Sequence, residues 1–185
     1  MHFGIVILAN KRAAPHFDRM VMSLHNQTHT AWRAYVIHID PEDRIDQFAF
    51  PLNRTEDCDI LREKFDYITA TQENLNEKLK VALDGPPHNH MIGFIPINYR
   101  IEHKLLALIK QTTQTNMDAF TVSACGYGSE PPRSYNRVLF TRRDALEKGH
   151  VEWNVINGEI FASCPEEEVN KTQVGMKPFA VRFDV

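Results

Sequence analysis

The 185-residue chain contains only three cysteines, which limits the kinds of site that it can build. Cys58, Cys125 and Cys164 are odd in number and widely spaced, so they predict neither a disulfide framework nor a zinc site. We interpret them as small core residues of a protein in a reducing compartment. This interpretation predicts a cytoplasmic location.

Long apolar runs and clusters of basic residues are also absent from the sequence. No apolar stretch approaches the ~20 residues that cross a bilayer, and the first residues lack the pattern of a signal peptide. The formal net charge is −3 and no Lys/Arg cluster occurs, so we expect no nucleic-acid partner and no membrane span. The composition, 43% hydrophobic and 24% charged, predicts one globular domain over residues 1–185.

Glycine is missing from the turn that would bind a dinucleotide. That turn, after the first predicted strand, reads LANKRAAP, whereas a dinucleotide site needs G-x-G-x-x-G so that the backbone can approach the pyrophosphate. The sequence also contains neither G-x-x-x-x-G-K-[ST] nor G-x-S-x-G. These absences disfavour dehydrogenases, P-loop enzymes and hydrolases with a nucleophile elbow.

The first 43 residues do predict a strand–helix–strand unit. Residues 3–8 form a nearly all-apolar run, which is typical of a strand buried on both faces. Residues 32–39 form a second such run, and Asp40 and Asp43 follow it. Between the two runs lies an apolar stripe with helical spacing: Phe17, Met20, Val21 and Leu24. Polar groups after two parallel strands mark the edge where open α/β sheets bind ligands.

Predicted strands and helices alternate along the rest of the chain. Strands are expected over residues 65–71, 91–97, 118–124, 137–141 and 177–185, and helices over 73–83, 101–111 and 142–148. Residues 125–136 predict an exposed loop because of their glycines and prolines, and residues 151–163 fit either a strand or a helix. The alternation predicts an α/β fold with a mostly parallel sheet flanked by helices.

Several short motifs, in their order, resemble family 2 glycosyltransferases, which are nucleotide-sugar enzymes of the GT-A fold. That family reads approximately V-V-I-P-T-Y-N-R, then S-L-x-x-Q-T, then an aromatic residue and a strand ending D-D-x-S-x-D. This chain reads IVILANKR, MSLHNQT, Trp32 and YVIHIDPED, so that Arg12 and Asp43 occupy matching positions. Asn74 before a helix, and residues 140–143 before a short helix ending at Gly149, extend the resemblance to about residue 163.

The resemblance implies a GT-A-like domain that binds a nucleoside diphosphate sugar, first of all a UDP-sugar, and transfers the sugar to a hydroxyl acceptor. It implies three sets of residues: Ala9, Asn10, Arg12 and Asp40, with Asp43 and Asn74 as second choices, around the nucleotide; Arg100, His103 and Arg143 facing the diphosphate; and Glu159 as the general base. For some of these residues a structural role is an equally simple interpretation. Asp40 and Asp43 also suit the capping of a turn, Arg100 and His103 a solvated helix face, and Glu159 an exposed surface.

One departure from the family concerns the metal. The family holds Mg²⁺ or Mn²⁺ with a D-x-D motif, but Pro96 and Asn98 stand at the matching place in FIPINYRIEH. Asn98 alone could serve as a poor metal ligand. Either other residues hold the cation, or cationic side chains replace it, or the chain does not catalyse transfer. The rival hypotheses are therefore a non-catalytic nucleotide-binding module and a different transferase or nucleotidyltransferase on a similar sheet.

Overall fold

The strand β1 (Phe3–Leu8) lies at the centre of the molecule, and all six of its residues are buried. A strand buried on both faces needs a hydrogen-bonded neighbour on each edge. Those neighbours are β2 (Trp32–His38) and β4 (Met91–Phe94), and both pair with β1 in parallel. The computed structural model describes residues 1–9, 14–39, 60–71, 73–84, 90–112, 119–127, 134–148, 152–156, 159–163, 171–173 and 180–183.

The remaining elements surround this centre. The other strands are β3 (Phe65–Thr69), β5 (Tyr99–Ile101), β6 (Ala119–Tyr127), β7 (Ser134–Arg142), β8 (Glu152–Ile156), β9 (Glu159–Ser163), β10 (Lys171–Gln173) and β11 (Ala180–Phe183). A short 3-10 turn (Ala14–His16) precedes the first of the helices, which are α1 (Phe17–His25), α2 (Leu75–Asp84), α3 (Leu105–Thr112) and α4 (Arg143–Glu147).

The main sheet has the order β3-β2-β1-β4-β7-β6-β11-β5, and β10 pairs with a second segment of β6. Five of its eight strand pairings within the described residues are parallel, and the three others, β4–β7, β6–β7 and β5–β11, are antiparallel. The strands β8 and β9 form a separate antiparallel hairpin. The prediction of an α/β fold with a mostly parallel sheet is confirmed.

Helices cover both faces of the sheet. On one face α1 and α3 pack against alternate residues of β1, and the predicted stripe of α1 is buried there: Phe17, Met20, Val21 and Leu24. On the other face α2 packs through Leu75, Leu79 and Leu83 against the intervening residues of β1. No helix within the described ranges has the length and apolar character needed to cross a bilayer.

Several boundaries differ from the sequence-based expectations. Ile101 ends β5 rather than beginning a helix, and α3 begins only at Leu105. The predicted loop over residues 125–136 is wrong at both ends, because Cys125–Tyr127 belong to β6 and Ser134 begins β7. Pairing of β6 with β11 overrides the local tendency of Gly126 to break a strand. Within the ambiguous range 151–163, Glu152–Ile156 and Glu159–Ser163 form the paired strands β8 and β9.

The side chain of Gln27 joins α1 to the segment between β5 and α3. Its Nε2 donates hydrogen bonds to the Ser23 carbonyl (3.0 Å) and to the Glu102 carbonyl (2.8 Å). Its Oε1 accepts the Leu106 N–H at 3.2 Å, one of the amides at the start of α3 that have no partner within that helix. Since Gln27 is only 3% exposed, these bonds replace water at a buried junction.

We expect Gln27→Ala to lower the free energy of unfolding by about 2–4 kcal/mol, because it leaves buried amide and carbonyl groups without partners. Gln27→Met, which keeps the volume of the side chain, should lower the free energy of unfolding by nearly the same amount. Urea denaturation measures both, with the exposed Gln111→Ala as the control. A loss below about 1 kcal/mol for both Gln27 variants would contradict a structural role for this amide.

Gly93 of β4 lies opposite Phe140 of β7 in the antiparallel register. A Cβ atom added to Gly93 would meet the Phe140 ring, at 2.8 Å from Cδ1 and 3.1 Å from Cζ. Phe140 is fully buried, and its ring also makes an edge contact with Phe3, with 6.2 Å between centroids. The ring therefore occupies the space that a side chain at position 93 would need.

We expect Gly93→Ala to destabilise the protein by about 1–3 kcal/mol through overpacking. Combined with Phe140→Leu, the substitution should cost less than the sum of the two single changes, since the smaller side chain makes room for the added methyl group. A double-mutant cycle by urea denaturation tests this coupling. Strictly additive losses of stability would mean that the Phe140 ring does not limit the size of the side chain at position 93.

Candidate functional site

The strand order predicts a ligand crevice at the carboxyl edge of β1. The strands β2 and β3, which follow β1 in sequence, lie on one side of it, whereas β4 pairs with its other side. Such a switch of direction leaves a gap between the loops that follow β1 and β4, and open α/β sheets bind their ligands there. The parallel ladder continues just past the strands, since the N–H groups of Ala9 and Ile95 donate to the carbonyls of Ile37 (2.7 Å) and Val6 (3.1 Å).

Ala9 is the one predicted nucleotide contact of the first loop that the structure describes. It is 3% exposed and belongs to the apolar core on the α1 face. The Ala9 side chain therefore packs in the core and is not available to a ligand at this edge. The predicted residues Asn10, Arg12, Asp40 and Asp43 lie outside the described residues.

His38 occupies the end of β2, where the resembling family has the first aspartates of its motif. The side chain is 2% exposed, and its ring stacks on the ring of Tyr67 in β3 with 6.1 Å between centroids and 7° between planes. A buried, stacked imidazole supports the packing of β2 on β3. Any carboxylate that serves the crevice from this strand end must therefore come from the residues that follow it.

Asn74 lies at the same edge of the sheet, after β3, and it caps α2. Its Oδ1 accepts the Thr71 N–H at 2.7 Å, while the Thr71 Oγ1 accepts the Asn74 N–H at 3.3 Å. This reciprocal pair is a capping box, which supplies partners to amides at the start of a helix. The cap uses one lone pair of Oδ1, so the amide NH₂ and the second lone pair of Asn74 remain for a ligand.

The chain reverses direction directly after β4, at the position where the metal-binding motif was expected. The Tyr99 N–H donates to the Pro96 carbonyl at 3.0 Å, and the chain reverses into β5. Asn98 in this turn is 2% exposed. No group of three or more His, Cys, Asp or Glu side chains in the described ranges could hold a metal ion. A single amide oxygen does not fit Mg²⁺ or Mn²⁺, which prefer carboxylates.

Arg100 and His103 lie beside α1. Arg100 is an exposed residue of β5, and β5 contacts α1. His103 follows β5; its carbonyl accepts the Thr28 N–H at 2.9 Å, and its Nδ1 pairs with the Glu102 carboxylate. Both residues line a groove between α1 and β5.

Arg143 is found at the opposite edge of the sheet. The antiparallel strand β7 brings it to the start of β4, where its N–H donates to the His90 carbonyl at 3.0 Å. Its guanidinium binds the carboxylates of Glu147 and Asp84 and the carbonyl of Leu83 at the end of α2. This placement separates Arg143 from the carboxyl edge, so the site that we consider does not include it.

Glu159 begins β9 and pairs with Ile156, the last residue of β8. The strand β9 contacts both β1 and β4, the two strands that flank the crevice. A signal for this hairpin is present in the sequence, since Asn157-Gly158 between two apolar runs is a strong hairpin pattern. Glu152 stands at the far end of the hairpin, opposite Ser163.

The sequence matches no protein-family model and no curated protein. Solved structures are similar to it in fold. TarS of S. aureus in complex with UDP aligns with all of this chain at a TM-score of 0.65 and 10% identity, and its complex with UDP-GlcNAc at 0.64 and 10%. The mannosyltransferase PcManGT from Pyrobaculum calidifontis, in complex with GDP-Man and Mn²⁺, aligns with 80% of this chain at a TM-score of 0.53 and 9% identity.

These structures are longer than the present chain. It spans 61% and 59% of the two TarS chains and 46% of the mannosyltransferase chain. At this level of identity the likeness concerns the fold. The chain therefore shares with these glycosyltransferases an α/β fold built on a mostly parallel sheet flanked by helices.

Proposed function

We propose that the chain binds a nucleoside diphosphate sugar, with UDP as the nucleotide, and transfers the sugar to a hydroxyl acceptor. The observation that carries this proposal is the crevice at the carboxyl edge of β1 and β4, in a fold shared with TarS. TarS structures contain UDP and UDP-GlcNAc, which favours UDP over the GDP of the mannosyltransferase complex.

The nucleotide would be bound by the loops that follow β1, β2 and β3. Asn10 and Arg12 come after β1, and Asp40 and Asp43 come after β2. A carboxylate such as Asp40 would accept hydrogen bonds from the base N–H or from the ribose hydroxyls. Asn74 would contribute through its amide NH₂, which makes no contact with the cap.

The reaction would be a displacement at the anomeric carbon of the donor. The acceptor oxygen forms the new bond to that carbon, the bond from carbon to the diphosphate oxygen breaks, and the electron pair leaves with UDP. The acceptor proton would pass to the Glu159 carboxylate, whose strand contacts β1 and β4. Arg12 is the cationic candidate for the leaving diphosphate, since Arg143 lies at the opposite edge of the sheet and Arg100 lines the groove beside α1.

A second candidate is a binding module that does not catalyse transfer. Pro96 and the buried Asn98 favour it, because the turn after β4 offers no carboxylate to a divalent cation. The two candidates share the nucleotide site and differ in the fate of the bound donor. Metal dependence and donor turnover therefore separate them.

We expect calorimetric titration to show UDP binding, and Asp40→Asn to weaken it about tenfold through loss of a charge-assisted hydrogen bond. Glu77→Gln, on the exposed side of α2, is the matched control and should leave the affinity unchanged. The titration is run with Mn²⁺ and with EDTA, followed by an assay of UDP-GlcNAc hydrolysis. Metal-dependent binding with slow hydrolysis favours the transferase, and metal-independent binding without hydrolysis favours the module. Failure to bind any nucleoside diphosphate would contradict both.

For the transferase we expect Glu159→Gln to lower kcat by about 10²–10⁴-fold while UDP binding is retained, because the substitution removes a general base. Glu152→Gln, at the other end of the same hairpin, is the matched control and should retain activity. The measurement is UDP release from UDP-GlcNAc in the presence of a panel of hydroxyl acceptors. Equal activity of the Glu159 variant and the native chain would remove this residue from the mechanism.

A further inference from the structure

The groove between α1 and β5 is distinct from the nucleotide crevice and has a volume of about 440 Å³. Met22 of α1 and Ile101 of β5 are its apolar lining residues. Polar side chains make up most of the rest: Asp18, Arg19, Asn26, Arg100, Glu102 and His103. A volume of this size lies within the ~300–1,000 Å³ of small-molecule sites.

One end of the groove adjoins the carboxyl edge of the sheet. Asp18 lies in the first turn of α1, which follows the loop after β1, and Arg100 comes two residues after Asn98 in the turn that ends β4. The other end lies at the last turn of α1, beside Asn26. A ligand in the groove could therefore extend from the crevice along α1.

The charges that line the groove cancel. Each side carries one arginine and one acid, Asp18 and Arg19 on α1 and Arg100 and Glu102 in and after β5. Glu102 also pairs with His103 and accepts the Lys104 N–H at 2.8 Å. An anionic ligand would be opposed by Asp18 and Glu102, and an apolar one would remove polar groups from water without replacing their hydrogen bonds. A neutral ligand with many hydroxyl groups can both donate to carboxylates and accept from guanidinium groups.

Arg100 and Asn26 are the side chains best placed to bind such a ligand. Both are exposed, and in the described part of the chain no carboxylate pairs with the Arg100 guanidinium. Asn26 uses its backbone N–H to end α1, bonding the Met22 carbonyl at 3.1 Å. Its side-chain amide thus offers one acceptor and two donor hydrogens to the groove.

We propose that this groove binds a short segment of a neutral oligosaccharide, which is the acceptor of the transfer reaction. The role as acceptor rests on the proposed function, whereas the binding of the oligosaccharide does not. An oligosaccharide bound in the groove would have one hydroxyl group near the crevice that binds the donor. The segment bound along α1 would then set the specificity for the acceptor.

The test is titration of the isotopically labelled chain with maltotriose, cellotriose and chitotriose, followed through backbone amide shifts in NMR spectra. We expect at least one trisaccharide to shift the amides of residues 18–26 and 100–103. Trigalacturonic acid and inorganic phosphate serve as anionic probes, and both should bind more weakly than that neutral trisaccharide. Arg100→Ala and Asn26→Ala should each weaken its binding by at least about fivefold. Lys80→Ala, on the exposed side of α2, is the control.

UDP titration of the same variants separates the two proposals. UDP affinity should be unchanged in Arg100→Ala and Asn26→Ala. Trisaccharide binding without any UDP binding would support the groove and contradict the proposed function. Absence of shifts in the groove with all three neutral trisaccharides, or tighter binding of trigalacturonic acid or phosphate, would overturn the groove proposal. Equal trisaccharide affinity of the native chain and both groove variants would overturn it as well.

Discussion

The strand β1 requires a hydrogen-bonded strand on each edge and a packed layer on each face, and this requirement determines the arrangement of the other elements. Its six buried residues leave no backbone group for water, so β2 and β4 must pair with it, and helices must cover each face. Because both pairings are parallel, the strands end at one common edge. The loops at that edge are thereby brought together from sequence positions about 85 residues apart, after residues 8 and 94.

The two edges of the sheet differ in chemistry. At the amino edge Arg143 is held by two carboxylates and a helix-end carbonyl, so its positive charge is neutralised within the protein. At the carboxyl edge three described side chains serve the fold: Ala9 packs in the core, His38 stacks on Tyr67, and the Asn74 oxygen caps α2. The chemistry proposed for this edge therefore depends on the residues that directly follow the strands.

Local patterns predicted the first strand–helix–strand unit, because a continuous apolar run and a helical stripe are readable within a few residues. They failed where pairing with residues far away in the sequence determines the secondary structure. Cys125–Tyr127 are strand because β11, more than 50 residues later, lies beside them, and the brief polar strand β10 has no apolar pattern of its own. The location of Arg143 could not be predicted either, since it depends on β7 running antiparallel to β4.

The Gln27 amide has a consequence for how the chain folds during synthesis. Its partners Glu102 and Leu106 come 75 and 79 residues later, and the second neighbour of β1 is also made late. At ribosomal rates of roughly 5–20 residues per second, the first strand–helix–strand unit would wait several seconds for these partners. During that time β1 presents an unpaired, apolar edge to other chains until β4 pairs with it.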